Sequence, residues 1–345
     1  MIYPNKKIMI SKKILILKND RTGDLFVSLN AINSILNKHY NDEIHIFLSN
    51  INKKFDFLFP SLKKKILSMD LSILNKIYIF FYFTVNNIDS VYILTPKTFY
   101  YLLPLIFRNT KFYAITIKAK RNRPSKFFLS YLYKYIIIDR INLKKRNSSY
   151  VIQRKLINEK FSEEKNLINI DFNVTHNFTY PKKFVYFHYK KRLFEHLLNW
   201  KLDDINNFLN FLTNKYENVI FSSEIKDARL NEHFSNLFNT YNYTDKTFHK
   251  INDKKIYFLK DIDGYDLFDA IHNSHKIIAP EGIITHIAYF LKKPLLALMH
   301  FHLKEKKDFI NQLISCKEWF PPDNYDFIVL KKDYLKSIKK FSKRL

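Results

Sequence analysis

The sequence predicts an α/β protein made of two Rossmann-like domains around a cleft. Three observations carry that expectation. Short apolar runs bounded by polar residues, such as ILIL at 14–17, have the pattern of strands buried in a parallel sheet. Segments with apolar residues at helical spacing follow those runs. A length of 345 residues favours two domains of about 150–180 residues each.

The elements follow in chain order. Residues 14–17 are the first strand and 19–23 the loop after it. Asp24 opens a helix whose apolar residues are Leu25, Leu29, Ile32, Ile35 and Leu36. The run 43–48 (EIHIFL) is the next strand. Strand, tight loop, helix and strand in about 35 residues make a βαβ unit, which sets the α/β class. Further strands are expected at 90–94 and 112–117, the latter leading into the most basic stretch, 118–126 (KAKRNRPSK), and the aromatic 127–138. Helical periodicity lapses over 172–183, which carries Pro181 and is the expected linker. A second series then runs strand 184–187, helix 203–215, strands 218–222 and 255–259, helix 266–273, strand 276–279, helix 283–291 and strand 294–299. The domains are accordingly 1–175 and 176–345, with a C-terminal helix able to pack back on the first.

Composition excludes several classes. The 3 glycines, Gly23, Gly264 and Gly282, are too few and too scattered for a P-loop or a dinucleotide fingerprint. The single Cys316 excludes a disulfide framework and a cysteine-cage metal site, so a reducing, cytoplasmic setting is the default. Lys+Arg 58 against Asp+Glu 32 leaves +26. Much of that excess is Lys in a chain crowded with Asn, Ile, Phe and Tyr, residues with AT-rich codons, so genome bias explains part of it. The remainder points to an anionic partner: nucleic acid, a phosphorylated glycan or an anionic membrane surface. With 47% hydrophobic residues the chain can bury a large core. No membrane span is expected, because 77–85 is too short and 91–107 carries Pro96, Lys97 and Pro104. No signal peptide is expected either, since Lys12 and Lys13 precede a strand-like run without a small-residue cleavage site.

Two stations carry the candidate chemistry. Lys18-Asn-Asp20-Arg21-Thr22-Gly23-Asp24 lies at the carboxyl end of the first strand, where ligands bind in open parallel sheets. Gly23 would permit the tight turn, and Asp24 would stand at a helix N-terminus, as a cap or as a functional carboxylate. Ala279-Pro280-Glu281-Gly282-Ile283-Ile284-Thr285-His286 again joins a strand to a helix, and the amides and dipole at such a helix start can hold a diphosphate. There Gly282 would allow close approach, Glu281 would accept from sugar hydroxyls and Thr285 would donate to phosphate. The bland readings are first-turn residues for Glu281 and Thr285, and a packed core histidine for His286.

Three weaker stations accompany them. His188-Tyr-Lys190-Lys191-Arg192 follows the first strand of the second domain and offers either a phosphate cation or a solvated charge run. Glu224 ends the next strand, where a carboxylate can take both ribose hydroxyls. Asp261-Ile-Asp263-Gly264 holds a D-x-D that chance alone explains among 32 acids, so no metal is expected.

In order and spacing these stations resemble glycosyltransferase family 9, the lipopolysaccharide heptosyltransferases, from about residue 12 to 300. ILILKNDRTGD is similar to that family's opening strand and K-x-D-x-x-G-D loop. KIIAPEGIITHIAYFLKKPLLALM is similar to its C-terminal signature. Two departures stand out: Asn30 replaces a usual Pro before Ala31, and Pro280-Glu281-Gly282-Ile283 replaces an acid–Thr–Gly order. The resemblance implies a GT-B fold with an acceptor-side first domain and a donor-binding second domain. It also implies inverting sugar transfer, typically from ADP-heptose, with no essential metal and no cofactor. Carried over by position, Asp24 matches the catalytic base. Glu281, Gly282, Thr285 and His286 match the donor site, Glu224 the ribose acid, and Lys190 or Lys191 the phosphate lysine.

The expected reaction has Asp24 taking the acceptor hydroxyl's proton while the diphosphate leaves against Lys190/Lys191 and the helix start at Gly282. Domain closure would align the substrates and exclude water. The acceptor is expected to be a lipid-linked or phosphorylated cell-envelope glycan, met by Lys18 and Arg21 beside Asp24 and by Arg121 and Arg123 in the basic stretch. Residues 118–135 would bind that acceptor or rest on the anionic inner face of the inner membrane; an ordinary amphipathic helix with a lysine-rich loop is the plain alternative. Two rival readings remain: an inactive GT-B relative binding glycan or protein, and a basic nucleic-acid-binding protein. The leading reading has no nucleic-acid partner.

Overall fold

The fold is described by a computed structural model over residues 11–59, 66–68, 72–117, 124–138, 152–157, 178–223, 227–300, 313, 320–321 and 324–344. The chain divides into two units, Met1–Ile168 and Asn169–Leu345, against the 175/176 division expected. Residues 172–177, half of the expected linker, lie outside the described residues.

In the first unit, β1 (Lys13–Lys18), β2 (Glu43–Leu48), β3 (Ile66–Ser68), β4 (Ser90–Ile93), β5 (Lys111–Ile117) and β6 (Lys134–Ile138) form one sheet. Its order is β3-β2-β1-β4-β5-β6. Every pairing is parallel. This is the strand order of a complete doubly wound Rossmann sheet, with a switch point between β1 and β4. The central strands read as unbroken apolar runs because both faces are covered. Leu15, Leu17, Val91, Ile93 and Phe112 pack with Ile79, Tyr82 and Phe83 of the helix Ile73–Asn86. Ile14, Ile16, Ile44 and Ile46 on the other face are equally buried, as are Leu25, Phe26, Leu29 and Ile32 of the helix Thr22–Lys38.

That helix begins two residues earlier than the spacing predicts. Arg21 is its cap residue, in extended backbone, so Gly23 and Asp24 both lie in its first turn and Gly23 makes no turn of its own. The turn is held from a distance instead. Ser49 Oγ and Asn52 Nδ2 donate to the Asp20 carbonyl at 3.1 and 3.0 Å. Asn19 N donates to Thr95 Oγ1 at 3.0 Å. The aromatic stretch after the basic run divides into a short helix, Lys126–Ser130, and β6.

The second unit contains β7 (Val185–Tyr189), β8 (Val219–Ser223), β9 (Asn239–Asn242), β10 (Thr247–His249), β11 (Ile256–Lys260), β12 (Lys276–Pro280), β13 (Leu295–Met299) and β14 (Tyr325–Val329). Their order is β10-β9-β11-β8-β7-β12-β13-β14. The six strands from β11 to β14 in that order repeat the topology of the first sheet, with the switch point between β7 and β12. β9 extends the parallel set and β10 closes its edge in antiparallel pairing. One face of the sheet packs through Phe187, Phe221, Phe258 and Leu296 against Phe208 and Leu212 of the helix Leu202–Thr213 and Leu230 and Phe234 of the helix Ala228–Leu237. Tyr334 and Ile338 of the last helix, Tyr334–Ser342, join that same core. Tyr334 meets Trp200 edge-on at 4.9 Å. The C-terminal helix thus packs on its own unit, where the sequence allowed for a return to the first.

Candidate functional site

Parallel topology places the loops that leave β7 and β12 side by side at the carboxyl end of the second sheet. From the β7 side, Lys190 extends its amine to the main-chain carbonyl of Glu281, 3.1 Å away. A Cβ added to Gly282 would lie 3.2 Å from that amine. Gly282 has φ 157° and ψ −151°, a backbone region that side-chain-bearing residues rarely enter. The turn therefore calls for glycine, and a side chain there would also have to displace the lysine amine by a few tenths of an ångström.

Gly282 is also the cap residue of the helix Ile283–Leu291 and supplies no side-chain acceptor to it. The helix dipole and first-turn amides lie next to the Lys190 amine, a concentration of positive potential suited to phosphate. Glu281 is exposed and contributes its carbonyl to Lys190. Thr285 is fully buried and its hydroxyl donates to the Gly282 carbonyl at 2.6 Å, so it braces the turn rather than presenting a donor outward, correcting its expected role. His286 is buried on the apolar helix.

The two adjacent lysines have different partners. Lys191 turns away from Gly282 to an ion pair with Asp227. Asp227 also accepts from Leu230 N as the cap of the helix Ala228–Leu237, and the Lys191 contact foremost holds its carboxyl below the usual range. Asp227 escaped the sequence reading, although Asp ahead of Leu230, Phe234 and Leu237 is a helix-start signal. Beyond Lys191 the chain forms a π-helical turn, Arg192–Leu197, in which Glu195 accepts from Arg229 at 3.1 Å and from the Tyr189 hydroxyl. His188 is buried in β7, and burial foremost pushes its pKa down to about 3, so it is neutral and adds no charge. Glu224 lies outside the described residues. The D-x-D is a capping turn: Asp263 accepts from Asp266 N at 2.8 Å, and Asp261 has φ 54°.

At the first unit's switch point, Asp24 is half-buried in the first helical turn, four residues beyond Asp20. Ser28 Oγ donates to its main-chain carbonyl at 3.0 Å. Arg21 is exposed beside it. Lys18 is not available to an acceptor: it is 2% exposed, and its amine donates to Asp20 Oδ2 at 2.8 Å and to the Leu94 carbonyl at 3.1 Å. It ties the β1 loop to β4, a correction to its expected role. Asp20 Oδ1 is buried without a hydrogen-bond partner. Burial raises the Asp20 pKa above its ordinary value, Lys18 opposes that rise, and the charge of Asp24 adds to it. Arg121 and Arg123 lie outside the described residues.

A doubled Rossmann topology with its polar residues gathered at both switch points defines a class of two-domain α/β proteins. No family model and no curated protein matches the chain. Solved structures do. A glycosyl transferase family 9 protein from Veillonella parvula DSM 2008 is similar at TM-score 0.62 and 12% identity, covering 97% of this chain and 90% of that one. E. coli heptosyltransferase WaaC with ADP-2-deoxy-2-fluoro heptose is similar at TM-score 0.61 and 10% identity, over 96% of this chain and 99% of that one. A UDP-GlcNAc 2-epimerase from Methanocaldococcus jannaschii is similar at TM-score 0.52 and 16% identity, over 96% and 92%. The chain has the GT-B fold, which these transferases and epimerases share; at such identities the likeness is one of fold.

Proposed function

We propose that the chain is an inverting glycosyltransferase that moves a sugar, heptose or a similar one, from a nucleoside-diphosphate sugar to a lipopolysaccharide core or another cell-envelope glycan, working at the cytoplasmic side of the membrane. The observation that carries this reading is the meeting of Lys190, side-chain-free Gly282 and the uncapped start of the helix Ile283–Leu291 at one switch point. Those groups suit a diphosphate whose charge grows as the sugar departs. WaaC has been solved with ADP and with ADP-2-deoxy-2-fluoro heptose, which supports ADP-heptose as the donor to try first.

In this reading Asp24 accepts the proton of the acceptor hydroxyl as its oxygen attacks the anomeric carbon. The bond from that carbon to the diphosphate oxygen breaks, inverting the centre. Lys190 and the first-turn amides stabilise the departing diphosphate without a metal. Glu281, Glu224, Thr285 and His286 belong to the donor side, Lys191 shapes its rim, and Arg21, Arg121 and Arg123 meet a phosphorylated acceptor.

The test is a thermal-shift panel of ADP, UDP, GDP, CDP, ADP-heptose and single-stranded DNA, each with Mg²⁺ or with EDTA. A ligand bound only by the folded state raises stability by about 2.7 kcal/mol at a hundredfold excess over its dissociation constant. A shift with one nucleoside diphosphate, unchanged by EDTA, is the expected result. Stabilisation by DNA alone, or by nothing in the panel, would overturn the reading.

A further inference from the structure

The helix Ile73–Asn86 (ILNKIYIFFYFTVN) is apolar on its outer side as well as its inner one, unusual for a surface helix. Its inner side, Ile79, Tyr82 and Phe83, belongs to the core of the first sheet. Its outer stripe should then be polar. Instead Ile73, Leu74, Ile77, Tyr78, Phe81 and Val85 form that stripe, at spacings of one, three and four residues, and all are exposed. Ile73 is 76%, Leu74 77%, Phe81 63% and Val85 75% exposed. The apolar surface continues sideways: Phe80 contacts Phe107 with ring centroids 5.2 Å apart, and Ile106 beside it is also exposed.

Charge indicates what covers this face. Between residues 72 and 138 the chain carries ten Lys or Arg and a single acid, Asp89. Asp89 is already engaged, accepting from Lys13 N at 2.7 Å. An apolar stripe embedded in a strongly cationic segment complements a surface that is anionic outside and hydrocarbon within. We propose that the outer face of the helix Ile73–Asn86, with the Ile106–Phe107 corner, seats the protein on an anionic phospholipid bilayer, its apolar side chains entering the headgroup–acyl boundary. Fourteen residues span about 21 Å, short of the roughly 30 Å hydrocarbon core, so the helix lies on the membrane. Basic residues near such a surface add about 1 kcal/mol each. Other occupants fit less well. Ile73, Leu74, Ile77 and Val85 have no ring on which a nucleic-acid base would stack, and a second copy meeting this face by a two-fold axis would set like charges together.

This proposal stands whether or not the chain transfers a sugar. The experiment is flotation of the full chain with vesicles of phosphatidylglycerol and phosphatidylcholine in equal parts, and with phosphatidylcholine alone. The wild type is expected to float with the anionic vesicles only. The variant Leu74→Asp/Phe81→Asp, whose side chains are exposed and leave the core intact, is expected to float about tenfold less or worse while melting at the wild-type temperature. Equal flotation of variant and wild type would overturn the proposal. So would wild-type binding to neither vesicle, or a wild-type dimer that the substitutions convert to monomer, because the face would then pair two copies.

Discussion

The Lys190 amine lies 3.1 Å from the carbonyl of Glu281, so a side chain from the end of β7 rests on the turn that follows β12. A neutral carbonyl is a weaker acceptor for an ammonium than a charged phosphate oxygen. An arriving diphosphate would offer better acceptors at the same place. Lys190→Met is therefore expected to weaken nucleoside-diphosphate binding about 10- to 100-fold, the worth of a charged hydrogen bond, with little change in stability. Calorimetric titration beside thermal melting separates the two effects. Lys191→Met, which breaks the Asp227 pair, should leave that affinity nearly unchanged.

Gly282→Ala tests the other half of the same contact. The backbone there is one that alanine enters only with strain, and its Cβ would stand 3.2 Å from the lysine amine. A loss of about 1–3 kcal/mol in urea-unfolding stability is expected, together with weaker nucleotide binding. An unaltered variant in both measurements would mean that the turn relaxes freely.

Asp24→Asn isolates the proposed base. The substitution keeps size and helix position and removes the proton acceptor. Transfer should fall about 10²- to 10⁴-fold in kcat while nucleotide affinity and melting temperature hold. A variant that retains wild-type turnover would move the base elsewhere.

Lys18→Met should be destabilising rather than catalytic in its first effect. It leaves Asp20 buried without its cation, which costs about 3–5 kcal/mol when one member of a buried pair is removed. Asp20 can escape by taking a proton, toward which burial already pushes it. The loss should therefore be larger in mildly alkaline than in mildly acidic buffer, measured by urea titration at each pH.

Asp266 gives the chain a second pH dependence. Burial first, and then the charge of Asp263, push its pKa up to about 7 from 3.8. Between those values the folded chain holds a proton that the unfolded chain has released, so stability falls as pH rises through that interval. Asp266→Asn should flatten this slope and add on the order of 1 kcal/mol at neutral pH, after solvent screening at a half-buried site. Melting curves across the interval would show it.

Local signals were enough where an element carries its own punctuation. The bounds of the helix Ile283–Leu291 agree with those expected from spacing, because Pro280 and Gly282 set off an apolar segment. The start of the first helix was not legible, since Ser49 and Asn52 hold the Asp20 turn from across the sheet and leave Gly23 without its expected task. The helix Ile73–Asn86 gave no periodic contrast, being apolar inside and out. β9 and β10 are polar, and their pairing partners lie elsewhere in the chain. At the site, the types of residue were readable but their partners were not: nothing local says that Lys190 meets Gly282 while Lys191 meets Asp227.

Among the described residues each sheet draws its strands from one stretch of the chain, the first ending at Ile138 and the second beginning at Val185. No described strand of the early half waits for the late half to be translated. At typical synthesis rates the first sheet can close on the order of ten seconds or more before β14 leaves the ribosome. The growing chain would then carry a finished first sheet, with its apolar helix face already displayed, while the half that holds Lys190 and Gly282 is still being made. Whatever covers that face can be met during translation, and delivery to its place of work need not await a complete protein.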